Sequence, residues 1–67
     1  MAKSLRDRAM ASEMHSRFVA REDDLGHLLT DEEVKDEARY QLENLPYSGY
    51  EDAWIRKAMR QMRALLK

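Results

Sequence analysis

Cysteine is absent from this chain of 67 residues, and proline and glycine are scarce, with one Pro and two Gly. Without cysteine there are no disulfide bonds and no thiolate metal ligands, which fits a reducing compartment, so we expect a cytoplasmic protein. Two glycines cannot supply a glycine-rich, phosphate-cradling loop. Apolar runs are also short. The sequence therefore predicts neither a signal peptide nor a transmembrane helix, and no membrane partner.

Neither sign of charge dominates, since 13 Asp and Glu stand against 12 Lys and Arg, for a net charge of −1. Charged residues make up 37% and hydrophobic residues 43% of the chain, which is typical of a folded, soluble domain. At this length we expect one domain, residues 1–67, that buries only about 60% of the surface of its unfolded chain. Its stability should be marginal.

Helical periodicity predicts an all-α fold, because no window alternates apolar and polar residues as a strand does. Turn-forming residues interrupt the pattern twice, at Leu25-Gly26-His27 and at Pro46-Tyr47-Ser48-Gly49. We therefore predict a small three-helix bundle with helices at about 4–24, 31–44 and 49–66, and with short turns that make neighbouring helices antiparallel.

The second and third predicted helices carry clear start signals. Thr30 and Glu33 have the spacing of a capping box, as do Ser48 and Glu51. Leu29 precedes the first box at the position of a hydrophobic staple. We expect these two helices to form a well-made hairpin with Trp54 buried in its core, because their apolar residues recur every three or four positions. The stripes are Val34, Ala38, Leu42 and Leu45, then Tyr50, Trp54, Ile55, Ala58, Met59, Met62, Leu65 and Leu66.

The first predicted helix is weaker. Ser4 can cap its start and Gly26 can end it in the left-handed conformation. Met10, Ala11, Met14 and Phe18 would form its core side. Basic residues in its first turn and acidic residues in its last turn oppose the helix dipole, at a cost of about 0.3–1 kcal/mol each. We expect it to fray unless another surface holds it.

The histidines and carboxylates of the sequence show no catalytic or metal-binding pattern. His15 and His27 are twelve positions apart and form no H-x₃-H, H-E-x-x-H or Cys/His grouping. Adjacent acids such as Asp23-Asp24 and Glu32-Glu33 fall on polar helix faces, where carboxylates are usually solvated. We therefore expect no enzyme activity, no catalytic residue, no metal and no cofactor.

Charge is segregated along the chain. Residues 31–52 carry eight acidic and two basic groups, whereas residues 53–67 carry five basic groups and no acid. On the third predicted helix, basic residues fall within one arc of about 60°, opposite the apolar stripe. They are Arg56, Arg60, Arg63 and Lys67. This basic ridge is a candidate surface for an acidic partner.

Two further features indicate partner binding. Opposite its core side, the first predicted helix carries small or apolar residues, so it offers a second packing face for a partner or for a second copy of the chain. That face comprises Leu5, Ala9, Ser12, Ser16 and Val19. Tyr40 projects away from its own apolar stripe, and an exposed tyrosine is a common interface residue.

Size, capped helices and segregated charge resemble those of many small helical regulators, including ones encoded by phages and mobile elements. We expect a non-catalytic protein-interaction module that regulates or inhibits a larger protein, with a homodimer as a further option. The alternative is a helix–turn–helix nucleic-acid binder that uses the basic ridge. A structural subunit of a larger assembly is a third reading. The acidic second helix and the slightly negative net charge disfavour nucleic acid.

Overall fold

The computed structural model describes residues 3–44 and 52–67, and these residues form helices without strands. In order, the helices are α1 (Leu5–Met10), α2 (His15–Leu25), α3 (Asp31–Asn44) and α4 (Asp52–Leu65). The predicted all-α small bundle is confirmed. Within the described residues, no helix has both the length and the apolar character that crossing a bilayer requires.

A single first helix over residues 4–24 was the wrong expectation, because a turn at residues 11–14 separates α1 from α2. Ser12 is the local cause. Its hydroxyl donates to the carbonyl of Ala9 at 2.6 Å and accepts from the amide of Met14 at 3.3 Å. Serine side chains compete with the helical ladder in this way. A distant residue completes the break, since the amide of Glu13 donates to Gln61 Oε1 of α4 at 2.8 Å.

The break changes which residues of the N-terminal region face the core. Ala9 is fully buried and Ser12 is 6% exposed, although we expected both on the outer side. Ala11 is exposed instead of buried. Met14 and Phe18 occupy the core as expected. The physical reason is the turn, because residues on either side of it no longer share one helical phase.

The predicted start of α3 is confirmed in detail. The Thr30 amide donates to the Glu33 carboxylate at 2.9 Å, and the Glu33 amide donates to the Thr30 hydroxyl at 3.3 Å. Gly26 ends α2 with a φ of 75°, in the left-handed region that favours glycine. Ser4 caps α1 by accepting from the Asp7 amide at 3.1 Å. These local signals act as the sequence predicts.

Helices α3 and α4 pack together more extensively than any other pair in the described residues. Trp54 packs against the common core but stays half-buried, which is less burial than we predicted. The expected positions of Leu45, Pro46, Tyr47, Tyr50 and the Ser48–Glu51 capping box lie outside the described residues. The core cluster comprises Ala9, Met14, Phe18, Leu29, Val34, Ala38, Ala58, Met62 and Leu65.

Candidate interaction surfaces

The basic ridge lies along α4 and the two residues that follow it, and it is exposed. Arg56, Arg60, Arg63 and Lys67 all lie on the solvent side. None of them forms an ion pair with another of the residues that the structure describes. Their neighbour Lys57 does so, binding Glu13 at 2.9 Å. The ridge therefore carries four positive charges that no acidic side chain among the described ones neutralises in an ion pair.

Two residues of the N-terminal region extend this basic surface. Lys3 and Arg8 line an open cavity of about 220 Å³ together with Gln61 and Ala64 of α4. The guanidinium of Arg8 donates to the Ala64 carbonyl at 2.8 Å, near the negative end of the α4 dipole. Sequence reasoning missed this extension, because the two bonded residues are 56 positions apart.

A groove of about 470 Å³ lies between α2 and α3. Its α2 wall carries Arg17, Ala20, Arg21 and Asp24, and its α3 wall carries Asp36, Glu37, Tyr40 and Gln41. Neither Arg17 nor Arg21 forms an ion pair within the described parts of the chain. One wall is thus mainly basic and the other mainly acidic, and the two do not neutralise each other directly.

The α3 wall of this groove is built on a buried glutamine. Gln41 is only 4% exposed and donates to the carboxylate of Glu37. Asp36 pairs with Arg39 of the same helix at 2.8 Å, in an exposed contact. Tyr40 is 59% exposed, as predicted. Gln41 was not among the expected core residues, although it stands seven positions after Val34, on the spacing of the apolar stripe.

Two partly buried carboxylates, Glu22 and Glu13, join separate segments of the chain. Hydrogen bonds from Arg6, at 3.0 Å, and from the Leu29 amide, at 3.0 Å, keep the pKa of Glu22 below its usual range. The Lys57 ammonium, aided by the Trp54 indole, lowers the pKa of Glu13. These contacts tie the N-terminal helices to the α2–α3 turn and to α4.

Near the turn, Glu33 combines its capping role with a contact to His27. Backbone and side-chain hydrogen bonds with Thr30 lower the pKa of Glu33, and His27 Nε2 lies 3.3 Å from its carboxylate. His15 Nδ1 lies 3.1 Å from the Ser12 carbonyl. Among the described residues there is no group of three or more potential metal ligands.

The structure separates the residues that we predicted for partner binding. Arg56, Arg60 and Arg63 share the ridge, and Tyr40 lies in the α2–α3 groove. Ser16 and Val19 are exposed on α2, where Val19 is 44% exposed.

The positions of Leu5 and Ala9 contradict our expectation of a continuous outer face on the first helix. Ala9 is fully buried and Leu5 packs, partly buried, against the core. Neither offers the open packing face that the sequence suggested. An exposed residue that we had not considered is Leu28, which is 67% exposed in the turn before α3.

Comparisons with known proteins find no family model, no curated protein and no solved structure that matches this chain.

Proposed function

We propose that this protein is a small, non-catalytic interaction module of the cytoplasm that binds an acidic surface of a larger protein and regulates or inhibits it. The observation that carries the proposal is the exposed row Arg56, Arg60, Arg63 and Lys67, which forms no ion pair with the side chains that the structure describes. Exposed charges of one sign steer association with a complementary surface and raise the association rate.

A protein partner fits the neighbouring helix better than nucleic acid does. Helix α3 packs alongside α4 and exposes Glu32 and Glu43. A nucleic-acid backbone is uniformly negative, so it would meet repulsion beside the ridge. A protein surface can place acidic groups against α4 and basic groups against α3. The mixed charge of this face therefore favours protein.

Nucleic acid stays the second candidate, because Lys3 and Arg8 extend the basic surface beyond α4. Fluorescence anisotropy with labelled duplex DNA and single-stranded RNA, at several salt concentrations, tests it. Four phosphate contacts should give a log–log salt slope of about −3 to −4 on duplex DNA. Tight binding with that slope would favour this candidate over a protein partner.

The test of the leading proposal compares two triple variants at the same positions. Arg56→Glu, Arg60→Glu and Arg63→Glu reverse the ridge, whereas three Arg→Lys changes keep its charge. Proteins cross-linked to the wild type in a nuclease-treated lysate are identified by mass spectrometry, purified and measured by surface plasmon resonance. We expect the Glu variant to lose most of the association rate and the Lys variant to keep most of it.

Folding must be unchanged for that comparison to count. Exposed pairs contribute about 0–1 kcal/mol each, so the helical circular dichroism of both triple variants should match the wild type. If the Glu variant unfolds, the ridge has a structural role. A purified partner that binds both triple variants equally would contradict the proposal, because the charge of α4 would then be irrelevant to recognition.

A further inference from the structure

The α2–α3 groove has walls of opposite charge, and the ridge proposal makes no use of it. We propose that this groove binds a second copy of the same chain. In the two-fold symmetric dimer, Arg17 and Arg21 of each copy lie over Asp36 and Glu37 of the other.

Symmetry explains why the second copy fits. The turn at residues 26–30 joins α2 to α3, so the two helices lie side by side along the groove. A two-fold axis that runs along the groove, in the plane of the interface, places α2 of one copy over α3 of the other, and the reverse. Such an interface is self-complementary, because each patch meets the same patch rotated by half a turn. The basic wall of each copy therefore meets the acidic wall of its neighbour.

The lining of the groove favours a macromolecular occupant over a small ligand. Six of its eight lining residues are exposed, so the groove is open and would bury little of a small molecule. Its apolar contribution comes from Ala20 and from Tyr40, which is 59% exposed. One such set of contacts is weak. A two-fold dimer makes every contact twice, whereas an unrelated partner that binds the same groove makes each contact once.

The dimer leaves the basic ridge accessible. The walls of the groove belong to α2 and α3, and none of the ridge residues lines it, so the groove and the ridge are different surfaces. A dimer formed through the groove would display two ridges, and two linked ridges bind a repeated or multivalent acidic partner more tightly than one. Self-association does not depend on the identity of that partner, so it can be measured alone.

Sedimentation equilibrium of the full chain tests the proposal directly. At low salt and rising concentration, we expect the average mass to move from 7.9 kDa toward twice that value. At about 0.5 M salt the mass should return to that of the monomer, because salt screens exposed charge pairs. A monomeric mass at millimolar concentration and low salt would overturn the proposal.

Charge reversal tests the geometry. One variant carries Arg17→Glu and Arg21→Glu, and the other carries Asp36→Arg and Glu37→Arg. Each alone should stay monomeric, because like charges face each other in its homodimer. An equimolar mixture should regain the dimer, since every wall then meets its opposite. Ridge changes, Arg60→Glu with Arg63→Glu, are the control and should leave the dimer intact.

Circular dichroism confirms the fold of each variant before its mass is measured. If changing Glu37 disturbs its bond with Gln41 and lowers the helix content, Asp36→Lys alone replaces that variant and keeps the bond. Restoration of the dimer in the mixture supports the two-fold arrangement. A mixture that stays monomeric, or dimers formed equally by each variant alone, would overturn it.

Discussion

Helix α3 and the α1–α2 region acquire their structure in different ways. The start of α3 is fixed by residues 29–34, through a capping box whose two hydrogen bonds join Thr30 and Glu33. In the N-terminal region, by contrast, α4 holds the turn between α1 and α2 through Gln61 and Lys57. Local chemistry therefore positions α3, whereas contacts across 44 or more positions shape the N-terminal region. The two regions should therefore tolerate different substitutions.

The largest expected effect follows from replacing Phe18, the fully buried aromatic residue of α2. Phe18→Ala should lower the free energy of unfolding by about 3–5 kcal/mol, because it leaves a large cavity in the core that all helices share. That loss is comparable to the whole stability of a small domain. Urea unfolding followed by circular dichroism measures it.

Val19→Ala is the matched control, since Val19 is the next residue and is 44% exposed. It should change stability by about 0.5 kcal/mol or less. If Phe18→Ala leaves no folded protein, Phe18→Leu gives a milder, measurable loss. A cost below about 1 kcal/mol for Phe18→Ala would mean that the N-terminal region folds apart from the common core.

A smaller effect is expected at the break itself. Ser12→Ala removes a buried hydroxyl that accepts from the Met14 amide and donates to the Ala9 carbonyl; that carbonyl keeps its bond from the Ser12 amide, but the Met14 amide loses its partner. Leaving buried polar groups without partners costs about 1–3 kcal/mol, so we expect a loss near the lower end of that range. Ser16→Ala, at an exposed position of α2, is the control and should be nearly neutral. Equal effects of the two changes would show that Ser12 does not hold the turn.

These two regions also show how much of the structure the sequence predicts. The capping box of α3, the left-handed Gly26 and the basic ridge each depend on residues of one segment, so spacing alone reveals them. The break was missed because Ser12-Glu13-Met14 contains no proline or glycine and its stabilising acceptor, on Gln61, is 48 positions away. The burial of Ala9 follows from that break and was missed with it.

The candidate surfaces also differ in whether one segment or two segments form them. Four cations at helical spacing identify the ridge from α4 alone. The α2–α3 groove could not be predicted, because its walls come from two helices whose relative position depends on tertiary packing. Arg8 reaches the end of α4 for the same reason. A surface on one helix can thus be predicted from the sequence, whereas a surface formed by two helices can be predicted only when their packing is known.

Removing the α3 cap should cost less than disturbing the break. Thr30→Ala eliminates the side-chain oxygen that accepts from the Glu33 amide, and loss of such a cap typically costs about 1 kcal/mol. Thr30→Ser keeps the oxygen and should keep most of the stability. Hydrogen exchange adds a spatial check, because the first turn of α3 should lose protection while α1 keeps its own. Matching losses in α1 would contradict the local origin of this helix start.

The smallest expected effect is the acid dependence of the contacts that tie α1 to α2. The Arg6 guanidinium, followed by the Leu29 amide, keeps the pKa of Glu22 below its usual range, so the unfolded chain binds the proton more readily than the folded one. The stabilisation is therefore complete above the pKa of an unstructured Glu, about 4.3, and is lost as the pH falls through the lower pKa of the folded state. Glu22→Gln should destabilise the protein at pH 7, and its difference from the wild type should shrink as the pH falls below the pKa of an unstructured Glu. Urea unfolding of both proteins between pH 7 and pH 3 measures that difference, with Asp23→Asn as a control at an exposed acid of the same helix. Because the Arg6 side chain is 33% exposed and solvent screens its charge, we expect this change to be smaller than that of Thr30→Ala. A difference that stays constant over the whole pH range would show that Glu22 acts through packing, and that the ion pair with Arg6 does not hold the N-terminal helices together.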